Sequence, residues 1–114
     1  MNISEIQTLL TKANKKYTTF RFVDVTKKKW KFLSEFPAWT DQKNTIHINQ
    51  KIWNSLDELY QSFVLFHEVG HINDPSPYYS SMVKRELFAQ QWAMKRAKAL
   101  NMNSLSKQIK IMLC

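Results

Sequence analysis

Apolar residues recur along the chain with two different spacings, and each spacing predicts one type of secondary structure. A spacing of three to four residues predicts helices at about 4–16, 55–72, 81–100 and 104–113. Between the first two helices, aromatic and β-branched residues alternate with polar ones, which predicts strands at 17–25, 30–33 and 45–49. The stretch 34–43 contains Pro37 and is predicted to be a loop.

This order of elements predicts an α+β fold. We expect a small, mostly antiparallel three-stranded sheet packed against the helix at 55–72, together with an N-terminal helix and two C-terminal helices. The strand at 30–33 should pair antiparallel with the strand at 17–25, across a charged turn at 27–29. With 114 residues, the chain is expected to form one domain, 1–114.

The helix at 55–72 is apolar around most of its circumference, which predicts that it is buried. It should end by about residue 73, because the residue before Pro75 avoids the α region. Gly70, the single glycine of the chain, lies inside it. Because glycine costs roughly 1 kcal/mol in a helix, we expect a close neighbour at this position, most simply a β-strand crossing beneath the helix.

The same helix carries the motif His67-Glu68-x-x-His71. Residues four apart lie on one helical face, so the two imidazoles can bind one cation, and Zn²⁺ is the metal for which this spacing is typical. Glu68 would lie beside such a metal, at the position of a general base that activates water. The motif therefore predicts a zinc enzyme.

A third ligand is needed, and two acidic residues are candidates. Glu86 is the only acidic residue of the predicted helix at 81–100 and shares a face with small apolar residues, where an unpaired carboxylate would be costly. Asp74 is less favoured, because Pro75 should end the helix that would carry it. The only cysteine is Cys114, so a cysteine-based zinc site is not expected.

The segments His67-Glu-Val-Gly-His71 and Lys84-Arg-Glu-Leu-Phe-Ala-Gln-Gln-Trp-Ala93 together resemble the HExxH and ExxAxx[FW]A arrangement of small gluzincin-type metallopeptidases, in particular ImmA/IrrE-like proteins. The resemblance covers roughly residues 44–97. It implies a minimal zincin-like domain, zinc bound by His67, His71 and Glu86, and Glu68 as catalytic base. It also implies a protein substrate such as a repressor or another regulator.

The predicted activity is that of a zinc-dependent peptidase, an endopeptidase acting on a protein or peptide. The oxyanion formed during hydrolysis needs a further donor. The candidates are Tyr78 and Tyr79 in the loop beside the site, with Tyr60 and His47 as alternatives. The strand at 45–49, if it lies at the sheet edge, could align an extended substrate.

Two other functions are compatible with these residues. A zincin-fold protein with little or no activity could bind a protein or nucleic-acid partner through its basic flanks. A structural zinc domain would instead need a fourth protein ligand and would not need Glu68.

The net charge of +8 is concentrated at residues 10–31 and 84–114, whereas residues 32–83 are predominantly acidic. Such a field is compatible with nucleic acid, although a solvated lysine-rich surface is the favoured interpretation. Neither a run of about 18 apolar residues nor a signal-peptide pattern occurs in the sequence, so we expect a cytoplasmic protein without a membrane partner. The oligomeric state does not follow from the sequence.

Overall fold

The computed structural model of the protein describes residues 4, 5, 8, 19–40, 44–75, 81–105 and 107. These residues include the strands β1 (Thr19–Val23), β2 (Ala38–Thr40) and β3 (Thr45–Asn49). They also include a 3-10 helix (Lys28–Leu33) and the helices α1 (Gln50–Trp53), α2 (Glu58–Ile72) and α3 (Met82–Ala99). The predicted α+β class is confirmed. Most of the helices predicted at 4–16 and 104–113 lies outside the described residues.

The strand order in the sheet is β1-β3-β2. β3 lies in the centre, parallel to β1 and antiparallel to β2. The sheet is therefore mixed, and the mostly antiparallel arrangement expected from the sequence is not confirmed. The parallel pair arises because the segment between β1 and β3 is long enough to return the chain to the end of the sheet where β1 begins.

The strand predicted at 30–33 is wrong, because these residues belong to the 3-10 helix Lys28–Leu33. A 3-10 helix brings residues three apart to one face. Trp30 and Leu33 have this spacing; Leu33 is almost fully buried and Trp30 partly so. The second strand is instead β2, inside the segment predicted to be a loop, where it is held by pairing with β3.

The helix predicted at 81–100 corresponds closely to α3, whereas α2 begins at Glu58, three residues after the predicted start at 55. Asp57 caps α2 by accepting a hydrogen bond from the backbone N–H of Tyr60, and Ser81 caps α3 by accepting one from Lys84. α2 ends at Ile72, before Pro75, as expected. The positions of both helices were therefore visible in local sequence signals.

The core lies between the sheet and the two long helices. Its fully buried side chains include Ile46 and Ile48 of β3, Leu65, Phe66 and Val69 of α2, and Ala89, Ala93 and Ala97 of α3. The small alanines allow α3 to approach α2 closely.

A Cβ atom at Gly70 would lie 2.8 Å from the carbonyl oxygen of Ala89 and 2.9 Å from its Cα. The expected close approach at Gly70 is thus present, but the neighbour is α3 and not a strand.

An aromatic cluster covers the face of the sheet that points away from α2. The ring of His47 lies between those of Trp30 and Trp39, at centroid distances of 4.7 and 5.5 Å. Phe32 packs edge-on against Trp39 at 5.5 Å. Trp39 and Phe32 remain 41% and 56% exposed.

No helix in the described part of the chain is long and apolar enough to span a bilayer.

Asn49 connects β3, the 3-10 helix and α1 through its fully buried side chain. Its amide nitrogen donates to the carbonyl of Leu33 at 2.9 Å, and its amide oxygen accepts from the N–H of Ile52 at 3.2 Å. Replacing Asn49 with alanine removes a helix cap and the side-chain donor to the Leu33 carbonyl, which then depends on the backbone N–H of Phe36. We expect a loss of about 2 kcal/mol in the free energy of unfolding, measured by urea denaturation.

The matched control is Asn54→Ala at an exposed position of the following turn. It should change the free energy of unfolding by less than about 0.5 kcal/mol. Equal effects of the two substitutions would contradict the assigned role of Asn49.

Candidate metal centre

Three side chains from α2 and α3 converge on one point. His67 and His71 lie one turn apart on α2, and their Nε2 atoms are 3.1 Å apart. The carboxylate of Glu86, on α3, reaches both rings: one oxygen lies 2.9 Å from Nε2 of His67 and the other 3.0 Å from Nε2 of His71. The predicted ligands are thus in mutual contact.

The spacing and chemistry of these atoms fit a small divalent cation. One ligand atom from each residue can be chosen so that all lie within 4.8 Å of one another. In tetrahedral zinc sites with bonds of about 2.0–2.1 Å, neighbouring ligand atoms are roughly 3.3 Å apart. Two imidazoles and a carboxylate are also a donor set that zinc enzymes use.

Gln90 orients one of the two imidazoles. Its side-chain oxygen lies 3.0 Å from Nδ1 of His67, with the amide oriented so that the oxygen faces the ring. A proton on Nδ1 leaves Nε2 with a lone pair directed at Glu86 and His71, which is the tautomer a metal ligand requires. This role was not predicted, although Gln90 lies four residues after Glu86 and therefore on the same helical face.

The environment of His71 favours the neutral imidazole. Burial lowers the pKa of His71, and the neighbouring His67 lowers it further, whereas the negative charges of Glu86 and Asp74 oppose the shift. The neutral ring is the form that binds a metal. His71 is therefore suited to coordination near neutral pH.

Glu68 lies next to the cluster, among the residues that line the adjoining cavity. Burial raises the pKa of Glu68, and the negative charge of Glu86 raises it further. Together they shift this pKa from its usual 4.5 to about 8. A cation among the three ligands would favour the ionised form and lower this pKa again. Glu68 can therefore change its protonation state in response to charge at the site, as an acid–base group must.

Glu86 is less buried than its position among small apolar residues of α3 predicts. Its side chain is 51% exposed. The cost of burial therefore does not explain its position. What distinguishes Glu86 is its contact with both histidines.

His67, His71 and Glu86 line a cavity of about 620 Å³. The part of the wall that does not belong to α2 or α3 comes from the 3-10 helix, the segment that follows it, and β2. Most of its side chains are apolar, namely Phe32, Leu33, Phe36, Pro37, Ala38 and Trp39. This volume lies within the usual range of about 300–1,000 Å³ for ligand pockets.

Of the other residues considered from the sequence, two lie outside the described residues and three are not part of the cluster. Tyr78 and Tyr79 lie outside the described residues. Tyr60 packs edge-on against Phe63 and is not among the cavity-lining residues. His47 belongs to the aromatic cluster on the far side of the sheet. Asp74 is not part of the three-residue group, although its charge acts on His71.

The structure also corrects the choice of strand beside the site. The strand at 45–49 was a candidate for the sheet edge, but β3 lies in the centre of the sheet. β2 is one of the two edge strands, and all three of its residues line the cavity. An extended ligand would therefore meet β2.

Compared with known proteins, the chain matches no family model, no curated protein and no solved structure.

Proposed function

We propose that the protein is a zinc-dependent peptidase. The observation that carries this proposal is the convergence of His67, His71 and Glu86 at the wall of a large cavity, with Glu68 beside them. A structural metal site would be closed by a fourth protein ligand. Among the described residues the cluster contains three, which favours a site that is open to a substrate.

Each residue of the site has a distinct role in hydrolysis. The three ligands would hold Zn²⁺, which when bound supplies a Lewis acid that polarises the scissile carbonyl and makes water more acidic. Glu68 accepts a proton from the attacking water and delivers it to the nitrogen of the departing amine. Gln90 keeps His67 in the tautomer that the site needs.

The shape of the cavity favours a peptide as substrate. β2 offers the edge of a sheet, against which an extended backbone can align, and the aromatic side chains beside it can pack against substrate side chains. A folded regulator such as a repressor, which the sequence resemblance implies, would have to present an extended segment to this cleft. The zincin-like assignment of the domain is part of the same proposal.

Metal content and peptide hydrolysis test the proposal together. Purified protein should contain, or take up, one zinc per chain, measured by elemental mass spectrometry. It should also cleave members of a random peptide mixture, with loss of cleavage in chelator and recovery when zinc is restored. Failure to take up zinc would contradict the proposal.

The third histidine of the chain provides a matched control. His67→Ala and His71→Ala should each lose zinc and hydrolysis, whereas His47→Ala should keep zinc because His47 lies on the other face of the sheet. Equal zinc loss in all three variants would indicate general unfolding and not ligand loss.

Gln90 gives a further prediction. Gln90→Leu removes the acceptor of the His67 Nδ1 proton, so zinc affinity should fall by about 10- to 100-fold, measured by competition with a chromogenic chelator. Gln91→Leu, at the next and exposed position of α3, is the control. Unchanged affinity in Gln90→Leu would show that the hydrogen bond does not position the ligand.

A further inference from the structure

Arg85 places a positive charge in the wall of the cavity, immediately before Glu86 on α3. The residue is partly buried, and its Nε atom is shielded from solvent without a hydrogen-bond partner. No side-chain hydrogen bond or ion pair joins Arg85 to another of the described residues. Its guanidinium therefore has donors available on the side of the cavity.

Arg96, on the same helix, differs from Arg85 because its guanidinium has a partner within the fold. The Nε atom of Arg96 is also shielded and without a hydrogen bond, but its guanidinium lies 5.2 Å from the centre of the Trp92 ring. Arg96 thus has a cation–π partner within the fold. Arg85 has no corresponding ring contact among the described residues.

The position of Arg85 does not favour helix stability either. It lies in the first turn of α3, where the helix dipole disfavours positive charge, and this turn contains no acidic residue that would compensate. A partly desolvated guanidinium without an acceptor adds a further cost. The stability of the fold therefore does not explain why an arginine occupies position 85. An anionic ligand would supply the missing partner of its guanidinium.

We propose that Arg85 binds a carboxylate of the substrate close to the scissile bond, so that the cavity selects anionic peptides. This inference rests on the proposed peptidase function. The carboxylate comes either from an acidic side chain or from the free C-terminus of the peptide, and a guanidinium pairs with both in the same way. The cavity lining contributed by the 3-10 helix, the following segment and β2 is mainly apolar, so Arg85 is the cationic group available to such a ligand among the described residues lining the cavity.

The test uses zinc-loaded protein and matched peptides. One set places aspartate, asparagine or lysine at each position flanking a cleaved bond, and a second set compares a free C-terminal carboxylate with an amide. Wild-type protein should prefer the anionic member of one set by about 10- to 100-fold in kcat/KM. The set that shows the preference identifies the source of the carboxylate.

Substitutions at position 85 should remove or reverse this preference. Arg85→Gln should cleave anionic and neutral peptides with similar kcat/KM, and Arg85→Glu should favour the lysine peptides. Lys84→Gln removes the neighbouring exposed cation and should keep the wild-type preference. Zinc content should be the same in all three variants.

Several outcomes would overturn the assignment of Arg85 while leaving the peptidase proposal intact. These are cleavage by wild-type protein without preference for anionic peptides, and an unchanged preference in Arg85→Gln. A third is an equal fall in kcat for every peptide, because that result would place Arg85 at the transition state and not in substrate selection.

Binding provides a readout that does not depend on turnover. Calorimetry with zinc-loaded Glu68→Gln protein should give tighter binding of the aspartate peptide, or of the free acid, than of its neutral counterpart. Adding Arg85→Gln should abolish that difference. If it persisted, Arg85 would not be the group that binds the carboxylate, whether or not the wild-type protein cleaves peptides.

Discussion

Glu68→Gln is expected to reduce peptide hydrolysis by about 10²- to 10⁴-fold while zinc remains bound. Glutamine has nearly the shape of glutamate but cannot accept the proton of the attacking water. The three ligands belong to other residues, so metal content should stay at the wild-type level. Single-turnover kinetics and elemental mass spectrometry on the same preparation measure both quantities.

Glu58→Gln is the matched control, because it makes the same chemical change at an exposed position in the first turn of α2. It should retain hydrolysis within a factor of two or so, as most exposed substitutions do. If Glu68→Gln retained full activity, the assignment of the base would be wrong. If neither wild type nor variant cleaved peptides but both bound the same partner, the zincin-fold binding protein would be the better interpretation.

The stability of Glu68→Gln, measured in chelator, should show whether the variant loses activity because the base is absent or because the protein is unfolded. The pKa of Glu68 is raised in the folded state from 4.5 to about 8. Below pH 4.5, Glu68 is protonated in both the folded and the unfolded protein and does not affect the free energy of unfolding. As pH rises above about 4.5, Glu68 ionises in the unfolded protein but not in the folded one, which lowers the free energy of unfolding. The full loss is reached above about pH 8. Glutamine has no such titration. Glu68→Gln should therefore become more stable relative to wild type as pH rises through this window, measured by thermal unfolding in chelator.

Gly70→Val should destabilise the protein by about 3 kcal/mol, the upper end of typical overpacking costs. A Cβ at Gly70 would come within 2.8 to 3.2 Å of three backbone atoms of Ala89. Because these are backbone atoms, no side-chain rotation relieves the overlap, and α3 has to move away from α2. Urea denaturation in chelator measures the loss in free energy of unfolding.

The same displacement should weaken the metal site, because Glu86 and Gln90 are on α3 whereas both histidines are on α2. Zinc affinity should fall in Gly70→Val although no ligand has changed. Lys95→Val, at an exposed position of α3, controls for the introduction of a β-branched side chain into a helix and should cost only a few tenths of a kcal/mol.

A double variant identifies the source of the strain. Ala89→Gly removes the methyl group of Ala89 but not the backbone atoms that a side chain at position 70 would meet. Adding it to Gly70→Val should therefore not restore stability, and the two costs should add. A clear rescue would show that the Ala89 side chain, and not its backbone, sets the distance between the helices.

The sequence predicted best those features that depend on neighbouring residues. Pro75 and the 3.6-residue spacing were enough to locate α2 and α3 approximately, and the spacing of His67 and His71 placed both imidazoles on one face. The strand wrongly predicted at 30–33 shows the limit of such patterns. Trp30 and Phe32 alternate with lysines as in a strand, yet the buried residue is Leu33, three positions after Trp30, as in a 3-10 helix.

Features that depend on distant contacts were predicted less well. β2 has only three residues and exists through its pairing with β3, and the direction of β1 relative to β3 is decided by the path of the chain between them. Gly70 indicated a close neighbour, but only the packing of Ala89 shows which element it is. Gln90 and Arg85 gain their significance from the cavity, which is assembled from segments far apart in sequence.

The position of Trp39 has a practical consequence. Its indole ring lies at the rim of the cavity, is 41% exposed and stacks on His47. The other tryptophans of the chain are not among the cavity-lining residues, and Trp53 is buried. A molecule that enters the cleft would therefore change the surroundings of one indole selectively. The protein thus carries its own fluorescent reporter of occupancy, and replacing Trp39 with phenylalanine would show how much of the emission change it provides.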